Sequence, residues 1–170
     1  TSFTPASSTL TFSGASGAGP FSISSNAQSF SSVILNAPTK SYQQLDAASI
    51  GSSLTLTAGS WSTNGATLTV AGSLSGAGSL LATASESITV GADFTPTGFT
   101  RATSTLTLNG ASPANLGGLS LYNLVINKAA QANTVTSTAA LTVTNSLSLT
   151  RGPWAAASYS HSIAGGWNSS

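Results

Sequence analysis

Along most of the chain, apolar and hydroxyl residues alternate in short segments broken by Gly, Asn or Pro. The clearest are Ser8 to Phe12, Leu54 to Thr57, Thr67 to Val70, Ser87 to Val90, Thr105 to Leu108, Leu141 to Thr144 and Leu147 to Thr150. In an extended backbone successive side chains point to opposite faces, so each segment places Leu, Val, Ile or Phe on one side and Thr or Ser on the other. The pattern predicts half-buried strands. A helix needs apolar residues three and four apart over ten or so positions. Only Gln43 to Ile50 hints at that spacing, and we read it as a loop or a single turn. The predicted fold class is all-β.

The segments also repeat. Phe3 to Ser16 returns as Phe99 to Ser112, and Ser29 to Asn36 returns as Ser120 to Asn127. Most specific is Leu54-Thr55-Leu56-Thr57-Ala58-Gly59-Ser60-Trp61, matched 93 residues later by Leu147-Ser148-Leu149-Thr150-Arg151-Gly152-Pro153-Trp154. A shorter echo relates Leu54 to Ser60 with Leu68 to Leu74, an offset of 14. A period near 93 has two physical readings: a parallel β-solenoid whose repeat comprises several coils, or two tandem β-sandwich domains. The near-identical strand-turn units favour stacked coils, and the chain lacks the Cys–Trp–Cys core of immunoglobulin domains. We expect one continuous β-repeat domain over 1–170, with pseudo-repeats about 3–95 and 96–170, the second incomplete.

Composition narrows the role. The 170 residues include four Lys+Arg and three Asp+Glu, so 4% are charged where about 25% is usual. A net charge of +1 gives no clustered cations for counterion release, so no nucleic-acid partner is expected. Ser and Thr interrupt every apolar run, so no stretch of ~20 apolar residues spans a membrane. A β-barrel lumen would ordinarily carry more charge than seven residues. There is no Cys, which removes disulfides and thiolate metal sites. The chain starts at Thr1 with no basic-then-apolar leader, as a processed exported protein or a fragment of one would.

Three segments carry a family resemblance: Leu121-Tyr122-Asn123-Leu124-Val125-Ile126-Asn127-Lys128, then Leu141 to Gly152, then Ile163-Ala164-Gly165-Gly166-Trp167-Asn168. They resemble the "YNLTINK", "LTVNGNLTLTSG" and "VGGNW" repeats of long secreted bacterial surface proteins. Leu54 to Leu80 is similar to repeats of filamentous-haemagglutinin-like adhesins. The resemblance implies a right-handed parallel β-helix, an extended scaffold at the cell surface and no catalytic residues. The Gln43-Gln44-Leu45-Asp46 insertion departs from the pattern.

Candidate chemistry is sparse. His161 is the single histidine, and Asp46, Glu86 and Asp93 are the acids. They fall at unrelated places in the repeat, whereas a glycosidase needs two carboxyls within about 5–9.5 Å. We expect no enzyme, no cofactor and no metal, with His161 a packing residue. Lys40 and Lys128 follow matched strands and raise the idea of a Lys–Asn isopeptide bond; solvated lysines are the simpler reading. Trp61 and Trp154, at matched positions, either pack inside the coils or form a glycan-stacking ladder. Thr-x-Thr pairs begin, among other places, at Thr9, Thr55, Thr67, Thr105, Thr134 and Thr142. A stack of such pairs, one per coil, would bind ice, but their spacing along the chain fits no coil period. Asn168-Ser169-Ser170 is the one N-glycosylation sequon.

These observations lead us to expect a non-enzymatic extracellular structural protein, a segment of a surface filament, stalk or adhesin shaft. It would assemble head-to-tail with itself by end-to-end β stacking or strand donation. Phe3, Thr4, Gly166, Trp167 and Asn168, which stop within the repeat pattern, are the candidate self-association residues. A glycan- or surface-binding adhesin module is the alternative.

Overall fold

The computed structural model describes residues 7–14 and 19–169. Its strands are β1 (Thr9–Phe12), β2 (Phe21–Ile23), β3 (Ser29–Phe30), β4 (Ser32–Gln44), β5 (Ala48–Ile50), β6 (Leu54–Ser62), β7 (Leu68–Val70), β8 (Leu74–Leu81) and β9 (Ser87–Val90). They continue as β10 (Phe94–Thr100), β11 (Thr105–Leu108), β12 (Ala114–Leu116), β13 (Ser120–Asn127), β14 (Val135–Ser137), β15 (Thr142–Arg151), β16 (Trp154–Ala155), β17 (Ser162–Ile163) and β18 (Gly166–Ser169).

Each strand pairs in parallel with its counterpart one coil away, in the orders β1-β4-β6-β8-β10-β12-β14-β16 and β3-β5-β7-β9-β11-β13-β15-β17. The chain is a β-solenoid of about eight turns. Tandem sandwiches are excluded, because their sheets are antiparallel and every ladder here is parallel. At ~4.8 Å per rung the stack is roughly 34 Å long.

Every coil visits three faces in turn. The first face holds β1, the leading parts of β4, β6, β8 and β10, then β12, β14 and β16. The second holds β2 and the trailing parts of β4 to β10, then the leading parts of β13 and β15, then β17. The third holds β3, β5, β7, β9 and β11, the trailing parts of β13 and β15, and β18.

Alternation explains the core. On the third face Ala48, Leu68, Ile88, Leu106, Leu124 and Leu147 stand in one register column and are all buried. Burying each large aliphatic side chain contributes about 1.5–3 kcal/mol. The second face stacks Phe21, Tyr42, Trp61, Leu80 and Phe99. The segment Gln43 to Ile50 is not one loop: Gln43 and Gln44 finish β4 and Ala48 begins β5. A polar Gln44 points inward here, buried at 1% exposure, and this masked the alternation.

The sequence repeats do not step by whole coils. Leu54 to Thr57 lies on the first face, whereas its match Leu147 to Thr150, four coils and two faces later, lies on the third. Trp61 on the second face likewise corresponds to Trp154 on the first. The 14-residue echo makes the same move, from Leu54 on the first face to Leu68 on the third. What recurs in sequence is a strand-and-corner unit rather than a coil.

Candidate functional site

The three acids occupy separate corners, and each ties neighbouring coils together. Asp46 accepts from the Ser24 hydroxyl at 2.8 Å and from the N–H groups of Ser25 at 2.8 Å and Asn26 at 2.7 Å. Asp93 accepts from the Asn115 N–H at 2.7 Å. Glu86, 4% exposed, accepts from the Thr63 hydroxyl and the Thr83 N–H, both at 2.6 Å, from Ala84 N–H at 2.7 Å and from Gly65 N–H at 3.3 Å.

Burial alone would raise the Glu86 pKa. The Thr63 hydroxyl and the backbone donors of Thr83, Glu86 itself and Ala84 outweigh it and hold the carboxyl at about 2. Asp46 is lowered as well, chiefly by the Ser25 N–H and the Ser24 hydroxyl. Carboxylates saturated by donors and held well ionised are poor proton carriers at neutral pH. They are corner staples. The spacing Thr83-x-x-Glu86, which resembles a capping box, was the signal available in sequence. Among the described residues no three His, Asp or Glu side chains come together as a metal site would require.

Lys128 is 1% exposed and donates to the Gly91 carbonyl at 2.8 Å, reaching across two coils. Burial lowers its pKa, and the Asp93 charge partly opposes the shift. Its acceptor is a main-chain carbonyl rather than the side-chain amide an isopeptide bond requires. His161 packs at the edge: its Nδ1 accepts the Leu141 N–H at 3.0 Å, and its Nε2 lies 2.8 Å from the Ala156 carbonyl, the arrangement of an Nε2–H tautomer.

The tryptophans part company. Trp61 is fully buried at 0% exposure, with its indole N–H donating to Gln44 Oε1 at 2.7 Å. No ring face remains for a sugar, so the stacking role is corrected to packing. Trp154 is half-buried and donates to Ser137 Oγ at 2.8 Å. Its ring lies 4.9 Å from His161 and 6.4 Å from Trp167. Gly166, Trp167 and Asn168 form β18, in register with Ser146, Leu147 and Ser148. Trp167 is 58% exposed and nearby Tyr159 is 43% exposed. Phe3 and Thr4 lie outside the described residues. Among the described residues, a shallow concavity between Ser13, Gly14, Asn36 and Pro38 is lined by no titratable side chain.

Sorting the Thr-x-Thr pairs by face changes their meaning. The pairs at Thr9, Thr55 and Thr134 lie on the first face, the pair at Thr142 on the second, and those at Thr67 and Thr105 on the third. Between the last two comes Ser87-Ile88-Thr89, which completes a series on consecutive coils. The chain matches no protein-family model, no curated protein and no solved structure. Among the described residues no helix is long and apolar enough to cross a membrane.

Proposed function

We propose that this chain is a non-enzymatic structural segment of an extracellular filament, stalk or adhesin shaft. The observation that carries the reading is the uninterrupted third-face ladder from β3 to β18, with a column of buried aliphatic side chains behind it. Such a stack transmits length and stiffness along one axis, and its side chains serve neighbouring coils rather than a substrate.

The proposed mode of assembly is head-to-tail association with a second copy. Trp167 continues the column of Leu124 and Leu147 and is 58% exposed; a parallel rung laid on β18 would bury it and satisfy the strand edge. Strand donation would satisfy the same edge. Sedimentation and negative-stain microscopy over rising concentration test this. Rods that lengthen with concentration, and shorten with Trp167→Lys, are expected. A monomer at every concentration would end the assembly reading.

The exposure of Trp167 and Tyr159 beside Trp154 and His161 favours one second reading, an adhesin module that stacks a surface glycan. It predicts a monomer whose glycan binding is lost with Trp167→Ala.

A further inference from the structure

The outward side of the third face carries a hydroxyl array. Thr69, Thr89 and Thr107 stand directly in register on β7, β9 and β11. Beside them runs a second column in which Ser87 pairs with Thr105. Thr67 precedes Leu68 as Ser87 precedes Ile88, so three consecutive coils present a Thr/Ser-x-Thr pair. Ser49 on β5 extends the first column by one more rung.

Three features suit this array to a regular surface. The ladder from β5 through β7 and β9 to β11 has no register shift, whereas the β4–β6, β6–β8 and β8–β10 ladders all shift. A bulge re-aims side chains, so its absence keeps the columns straight. The strands β5, β7, β9 and β11 contain no charged residue, and Glu86 beside them is buried. Threonine is stiff at χ1, so its hydroxyl and methyl hold fixed positions.

The result is a two-dimensional grid with about 4.8 Å between coils and about 6.6 Å between the two residues of a pair. An outward hydroxyl can anchor a water and a methyl excludes one, which would impose the grid's repeat on the first hydration layer; the Thr105 hydroxyl, which also accepts from the Asn123 side-chain amide at 3.1 Å, keeps its own O–H for that layer. A charge would impose its own radial shell instead. An aromatic strip, the surface that a polysaccharide would select, is missing from these strands.

We propose that the outward face of β7, β9 and β11 is an ice-binding surface whose ligand is the ordered water of a crystal face. The purified full chain is expected to show thermal hysteresis and to shape growing ice crystals. Thr89→Lys and Thr107→Tyr, changes on the outward side of the strands, should abolish both effects. Thr55→Lys on the first face should leave them intact, and circular dichroism melts identify which variants are folded. Absence of hysteresis and shaping in the unaltered chain overturns the proposal. So does equal activity in the folded Thr89→Lys, Thr107→Tyr and Thr55→Lys proteins. Retention on crystalline cellulose without hysteresis also overturns it and assigns the face to a polysaccharide. None of these outcomes depends on the oligomeric state.

Discussion

The corners at Trp61 and Trp154 are the same local structure in two different settings. Gly59 and Gly152, two residues before each tryptophan, both have positive φ, 88° and 93°. Asn64 and Ala157, three residues after each, are both left-handed at 50° and 53°. Each indole donates to the side chain two positions beyond its ladder partner: Gln44 beyond Tyr42, and Ser137 beyond Val135. Yet Trp61 is fully buried, because Leu80 of the next coil covers it, whereas Trp154 lies on the last described rung of its face. Local sequence reproduces the corner. The neighbouring coil decides what the corner is worth.

The largest expected difference follows directly. Trp61→Ala should cost about 3–5 kcal/mol by opening a cavity and orphaning Gln44, against about 2 kcal/mol for the half-solvated Trp154→Ala. Urea melts of the two variants measure the gap, and equal losses would mean that burial does not govern the contrast.

Glu86 sharpens the comparison, since it anchors the turn after Trp61 through Thr63 and Gly65, where the turn after Trp154 is held by the His161–Ala156 contact instead. Its carboxyl titrates at about 2 rather than its ordinary 4.5. A depressed folded pKa stabilises above the unfolded value, and the contribution is lost as pH falls from about 4.5 to 2. That contribution is on the order of 3 kcal/mol at neutral pH. Melts of the unaltered chain and of Glu86→Gln should converge as pH falls through that window; a constant gap would remove the staple.

The smallest effect is a repair. Ala157 holds a left-handed conformation that Asn64 adopts more readily, so Ala157→Asn should stabilise by about 1 kcal/mol. A neutral or negative shift in melting temperature would show that the two corners are not equivalent.

Much of this was legible in the chain. Alternation gave the strands and their inward faces, and the Leu-x-Leu…Gly-x-Trp repeat marked a corner whose geometry recurs. The acids looked scattered because each staple is a contact between coils about 20 residues apart. The Thr pairs are aperiodic along the chain because they are distributed over three faces.

The sequence by itself determined what each strand buries and where the chain turns, since both follow from period-two alternation and from backbone angles that Gly and Asn accept. Only the tertiary structure decided which residues share a column. Coils vary in length, from 18 residues between Ile88 and Leu106 to 23 between Leu124 and Leu147. Register is therefore set by hydrogen bonding and side-chain stacking against the next coil, and no fixed spacing along the chain encodes it.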